Sequence, residues 1–168
     1  GAANPTWTKV VITTSANGAY SVFAADIDGD GDMDIVSASF GLGEIKWYRN
    51  NCYACTMDAS WSAYTISTNA DYAVSVFAAD MDGDGDMDIV SGGGNCNSGD
   101  SGCDGSHLRW YENIPNTEFT TSPPTFITRN ISTMPSKGVF VEDMDGDGDM
   151  DILSAAYYDD KIALYKNN

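Results

Sequence analysis

The sequence predicts an all-β protein made of three four-stranded blades of the β-propeller type, and three observations carry that expectation. Shifted by 54 residues, the first part of the chain lands on the second without a gap: Trp7 meets Trp61, Ile12 meets Ile66, and Val22–Ala25 meets Val76–Ala79. A third copy aligns 63 residues further on, so that Asp80 meets Asp143. Its nine extra residues fit a longer second-repeat loop between Gly92 and Ser106. Self-similarity at such a spacing is the mark of solenoids, propellers and arrays. The second observation is short alternating segments rich in β-branched and aromatic residues, punctuated by Gly, Asn and Asp, with no amphipathic helical stretch. The third is one acidic nonapeptide at the same place in every repeat.

Each repeat reads as four strands. An apolar segment runs into the acidic nonapeptide (Ser21–Ala25, Ser75–Ala79, Gly138–Glu142) and a second leaves it (Asp34–Ser39, Asp88–Gly92, Asp151–Ala155). A third is aromatic: Ile45–Arg49, Leu108–Glu112 and Ile162–Lys166. The fourth is Thr8–Thr13, Ser62–Ser67 and Thr125–Ile131. Four strands per repeat of this length describe a propeller blade. The whole chain, residues 1–168, is expected to form one domain of three repeats, about 7–60, 61–123 and 124–168.

The order of these strands carries a consequence for assembly. The chain opens on a fourth-strand segment, Trp7–Thr13, and closes on a third-strand segment, Ile162–Lys166. The third blade therefore lacks an outer strand, and three blades are too few for an ordinary ring of four to eight. The N-terminal strand of another copy is expected to complete it, giving a homo-oligomer: either a dimeric six-bladed ring or an open head-to-tail filament. The alternatives are a piece of a larger propeller, or a chain that closes on itself.

The nonapeptides are Asp26-Ile-Asp-Gly-Asp-Gly-Asp-Met-Asp34, Asp80-Met-Asp-Gly-Asp-Gly-Asp-Met-Asp88 and Asp143-Met-Asp-Gly-Asp-Gly-Asp-Met-Asp151. Five carboxylates in nine residues repel one another unless a cation sits among them. Two glycines let the backbone curl until alternate side chains converge. Hard oxygens in that arrangement suit Ca²⁺, which accepts six to eight of them with loose geometry. An EF-hand is excluded, because Ser37, Ser91 or Ser154 stands at the twelfth position, where that motif needs a bidentate Glu. Solvated turns without metal, and aspartate arrays lacking blade-length strands between them, are the competing readings.

Formal charge is −17, from 25 acidic and 8 basic residues, and three bound Ca²⁺ would bring it to −11. No Lys/Arg cluster exists to meet phosphates, so nucleic acid is disfavoured as a partner. No apolar run is long enough for a membrane-spanning helix, and no membrane insertion is expected. The cysteines fall in two close pairs, Cys52/Cys55 and Cys96/Cys103, within polar loops. Proximity favours disulfides within each pair, and zinc is the competing reading. Asn130-Ile-Ser132 is a glycosylation sequon, and Gly1-Ala-Ala-Asn4 reads as a start left by cleavage of a leader. Together these point to an extracellular, secreted or cell-surface protein.

The pattern Asp-x-Asp-Gly-Asp-Gly-x-x-Asp, preceded by Val-Phe-Ala-Ala and followed by a Trp-Tyr-x-Asn strand, resembles the FG-GAP/VCBS repeats. These are the calcium-binding blades of integrin-α-like propellers and of many secreted microbial proteins. The resemblance covers nearly the whole chain and recurs three times. It implies three Ca²⁺ sites, with side-chain ligands at positions 1, 3, 5 and 9: Asp26, Asp28, Asp30 and Asp34; Asp80, Asp82, Asp84 and Asp88; Asp143, Asp145, Asp147 and Asp151. It implies backbone oxygens at position 7, from Asp32, Asp86 and Asp149. The Phe-Gly and Gly-Ala-Pro signatures are replaced here by Phe-Ala-Ala, and in the third repeat by Phe140-Val-Glu142.

No catalytic residue is assigned. His107, the sole histidine, is expected to be a solvated loop residue, with no nucleophile elbow to serve. Glu142, on an otherwise apolar strand, reads as a structural or edge residue rather than half of a glycosidase pair. The aromatics Trp47, Tyr48, Trp110, Tyr111 and Tyr165 are expected to pack between blades. Tyr157–Asp160, before the last strand, sets aromatics suited to stacking on sugars beside carboxylates, the basis of the lectin alternative. The leading expectation is a non-enzymatic, calcium-stabilised module for structure, adhesion or assembly, with glycans or extracellular proteins as further partners. The alternatives are a calcium-dependent carbohydrate-binding lectin and an accessory domain of a secreted polysaccharide-degrading enzyme.

Overall fold

The computed structural model describes residues 4–51, 60–70, 72–94, 107–114 and 123–168. Among these, eleven strands form three antiparallel sheets. The first sheet joins β1 (Ala19–Ala25), β2 (Asp34–Ser39), β3 (Glu44–Asn50) and β4 (Trp61–Ser67) in that order. The second repeats the order with β5 (Ala73–Ala79), β6 (Asp88–Gly93), β7 (Leu108–Ile114) and β8 (Thr125–Ser132). The third contains only β9 (Gly138–Glu142), β10 (Asp151–Ala156) and β11 (Lys161–Tyr165). A single 3₁₀ turn, Tyr157–Asp159, occupies part of the segment expected to be a loop before β11.

The first β-hairpin of each sheet is closed by an acidic nonapeptide, and these ladders align at the repeat spacing. Ala25 faces Asp34, Ala79 faces Asp88 and Glu142 faces Asp151 across their pairs. Sheet and sequence repeat are offset by one strand. Trp61–Ser67 opens the second repeat but hydrogen-bonds to β3, and Thr125–Ser132 opens the third repeat but hydrogen-bonds to β7. The strand expected at Thr8–Thr13 does not form within this chain. It precedes the first sheet and lies along no strand edge, so it adopts no regular structure. Among the described residues, the third sheet accordingly ends on β11 with its outer edge unpaired.

The core lies between sheets. Val36, Ile45 and Trp47 of the first sheet pack with Val76, Ile89 and Tyr111 of the second, all at most 4% exposed. Val90 and Leu108 of the second sheet then pack with Val141 and Ile152 of the third. Full burial of each such aliphatic side chain contributes about 1.5–3 kcal/mol. Alternation within the aromatic strand explains how one strand serves two cores: Trp47 points into the junction with the second sheet, while Tyr48 points to the opposite face. Phe23, Phe77 and Phe140 run from sheet to sheet, with ring centroids 4.3 and 5.3 Å apart. His107 is buried rather than solvated. Its backbone bridges Gly93 and Ser132 at the start of β7, which draws it into the sheet.

Candidate metal sites

The first aspartate of each nonapeptide closes its loop. Asp26 accepts hydrogen bonds from the backbone N–H groups of Asp30 and Gly31, at 3.1 and 2.9 Å. Asp80 accepts from Gly83, Asp84 and Gly85, and Asp143 from Gly146 and Gly148. The turn requires left-handed backbone at both glycines, with φ of 71° and 91° at Gly29 and Gly31. A side chain there would meet nothing within 4 Å, so backbone conformation and not space selects glycine.

The ninth aspartate fastens the loop to the rest of its sheet. Asp34 accepts from Ile27 N–H at 3.2 Å, from the Trp47 indole at 2.9 Å and from Asn50 N–H at 2.7 Å. Asp88 and Asp151 hold the corresponding Asn113 and Asn167 N–H groups at 2.7 and 2.9 Å. All three carboxylates are fully buried. A buried carboxylate that satisfies three donors is a structural fastener as well as a candidate ligand.

Positions 1, 3 and 9 converge. Carboxylate oxygens of Asp26, Asp28 and Asp34 lie within 4.8 Å of one another, as do those of Asp80, Asp82 and Asp88, and of Asp143, Asp145 and Asp151. The fifth-position residues Asp30, Asp84 and Asp147 stand outside these groups, each accepting the N–H of the residue two further on at 3.0 Å. Asp32, Asp86 and Asp149 are likewise outside the side-chain groups. Cys52, Cys55, Cys96 and Cys103 lie outside the described residues. Asn130 sits exposed on the edge strand β8, its Oδ1 accepting from Arg109 Nε at 3.4 Å.

The electrostatics fit a bound dication. Burial pushes the Asp28 carboxyl up to about 6, against the opposing pull of Arg49. Burial likewise pushes Asp88 up to about 6, and raises Asp34, Asp82 and Asp86. Asp28 Oδ1 is buried with no hydrogen-bond partner in the protein. An orphaned carboxylate oxygen among crowded, desolvated carboxylates asks for a cation, and an all-oxygen donor set suits Ca²⁺. Asp26, Asp28 and Asp34, with their counterparts in the other loops, are the residues that would hold it. Bound Ca²⁺ would neutralise each loop and tie the hairpin turn to the buried ninth aspartate.

The loops differ at one position that sequence reasoning passed over, the residue between Tyr and Asn of the aromatic strand. In the first it is Arg49, whose guanidinium meets Asp28 at 2.6 Å and Asp30 at 3.0 Å. In the third it is Lys166, which meets Asp145 at 2.5 Å and holds that carboxyl below its usual range. In the second it is Glu112, a further carboxylate that helps raise Asp82 and is itself engaged by Arg129. The alignment of Trp-Tyr-x-Asn in two repeats with Leu-Tyr-x-Asn in the third was the available signal, because x changes charge from repeat to repeat.

Comparison with family models matches the FG-GAP-like repeat over residues 1–37, 26–91 and 98–154. The chain belongs to the FG-GAP-like repeat family. The matched stretches contain the three hairpins just described, each carrying an acidic loop able to hold a metal ion. A comparison with curated proteins finds no match. No helix among the described residues is long and apolar enough to cross a membrane.

Proposed function

We propose that this chain is a non-catalytic, calcium-stapled propeller module that works outside the cell as a building block, associating with copies of itself by strand complementation. The observation that carries this reading is the mismatch between the ends. The third sheet has three strands and an open edge at β11, while Trp7–Thr13 repeats the strand that fills the same edge in the other two sheets yet pairs with nothing in its own chain. An unpaired edge is a template for another strand. The carboxylates with raised pKa values sit in the calcium loops, where they are better used as ligands than as general acids. The sequon at Asn130 and the paired cysteines support an oxidising, calcium-rich setting.

Light-scattering mass and electron microscopy of the full chain in calcium test the assembly. Rings or filaments are expected, and deletion of Trp7–Thr13 should leave single chains. An assembly unchanged by that deletion would sink strand complementation. Calcium titration by calorimetry tests the staple, with binding at three sites expected.

A further inference from the structure

We infer that the partner of this chain is a second copy joined head to tail, through a junction that reproduces the two junctions already present inside the molecule. The inference rests on the assembly reading above and specifies its surface. Within the chain, the trailing face of one sheet meets the leading face of the next. The first sheet presents Phe23, Val36, Ile45 and Trp47, and the second presents Phe77, Val90, Leu108 and Trp110. The equivalents in the third sheet are Phe140, Leu153, Ile162 and Leu164; Leu153 is half-buried, but Phe140 is 48%, Ile162 81% and Leu164 42% exposed.

The matching leading face exists at the other end of the chain. Val76, Ile89 and Tyr111 receive the first sheet, and Val139, Ile152 and Tyr165 receive the second. Their counterparts on the first sheet are Val22, Ile35 and Tyr48. Val22 is 67% exposed, Ile35 is half-buried and Tyr48 is buried, and the three line an open groove of about 760 Å³ whose other wall is residues 9–14 of the same chain. The two ends are thus complementary to each other and not to themselves, which makes the contact heterologous.

Polar groups point the same way. At each internal junction the asparagine of the aromatic strand reaches across to the preceding loop. Asn113 Nδ2 donates to Ile27 O at 3.1 Å, and Asn167 Nδ2 donates to Met81 O at 2.8 Å. Asn50 donates to Met33 O in its own sheet, and the carbonyl that would complete its pattern is Met144 O of the neighbouring copy. The strand register follows from the internal ladders. Asn50 faces Trp61 and Asn113 faces Phe126, so Asn167 would face Trp7. Trp47 faces Tyr64 and Trp110 faces Arg129, so Leu164 would face Val10. Ile66 and Ile131 of the fourth strands help cover the trailing faces, a part that Ile12 would take.

Two departures weaken the junction between chains. Ser21 and Ser75 hydroxyls accept from Val76 and Val139 N–H at the internal junctions, but Gly138 stands at the third equivalent position. Glu142 stands where Ala25 and Ala79 pack. Chains should therefore part before sheets do.

Two charge substitutions at exposed positions test this: Val22→Arg on the leading face and Ile162→Arg on the trailing face, with Ile127→Arg on β8 as a control at a 45% exposed site. Each of the first two should be a folded single chain by sedimentation, with an unchanged melting curve in the dissociated state, while the control assembles normally. Mixed together they retain one intact junction and should form two-chain particles that grow no further. Mixed Val10→Cys and Leu164→Cys chains should form an inter-chain disulfide, whereas Val10→Cys with Ile162→Cys should not. If wild-type chains assemble but the arginine mixture stays monomeric, or either arginine variant assembles alone, the junction is wrong and self-association stands. If wild-type chains never assemble, the reading beneath it falls.

Discussion

The second and third sheets carry nearly the same residues at equivalent positions and differ in what surrounds them. Leu108 is fully buried and Ile162 is 81% exposed; Phe77 is sandwiched between two phenylalanines, and Phe140 touches one and faces solvent. The second sheet has four strands and a neighbour on each face, while the third has three strands and one neighbour. Burial in this architecture is therefore a property of the junction rather than of the sheet, and it is incomplete at both ends of the chain. This is the behaviour of a repeat array, whose stability is a sum of units and nearest-neighbour interfaces.

The comparison is sharpened most by removing calcium. A ligand at 1,000 times its Kd stabilises the native state by about 4 kcal/mol per site, so chelation should lower the melting temperature by well over 10 °C if all three loops fill. An unchanged melting curve in chelator would refute the staple.

Next in size is truncation of the paired positions. Leu108→Ala should cost about 2–5 kcal/mol, as a cavity opens in a full core. Ile162→Ala, measured in the dissociated chain, should stay within about 0.5 kcal/mol. Equal costs would mean that the third sheet is covered within a single chain.

Smaller effects separate the loops themselves. Replacing Glu112 by Gln should weaken the second site about tenfold, and replacing Lys166 by Gln should strengthen the third by a similar factor, the scale of one unit charge a few ångströms from a dication in water. Arg49→Gln should act like Lys166→Gln. Calorimetry of the variants against wild type reads this directly, and three indistinguishable sites in every variant would show that these neighbours do not matter.

The smallest effect is that of pH. With calcium removed, Asp28 and Asp88 hold their protons up to about 6 in the folded chain and lose them near 4 when unfolded. The folded state thus binds more protons between those values, and stability falls as pH rises through the window. Calcium-free protein should melt higher at pH 5 than at pH 7. Calcium-loaded protein should show the reverse, because acidification removes ionised ligands. The same trend with and without calcium would contradict it.

Much of this was legible in the sequence because hairpins and their turns are local. The glycine-spaced aspartates determined three loops, and period-two alternation with the 54-residue repeat determined which strands flank them and how they pair. The exceptions each depended on distant partners. Trp7–Thr13 has the composition of a strand, but a strand exists only against an edge, and within this chain the segment lies along none. His107 was expected in solvent because its neighbours are polar, yet its backbone is bonded into the start of β7. Asn113 and Asn167 stood in plain view in the repeat, but their roles lie across sheet junctions that no local pattern encodes.

By itself, then, the sequence determined the all-β class, the three acidic loops and the strands that flank them, since each follows from residues within one repeat. Only the tertiary structure decided which faces are covered, which carboxylates converge with which cation beside them, and that the first and last sheets expose complementary surfaces. Those depend on how one repeat stacks on the next, and stacking brings together residues more than 50 positions apart.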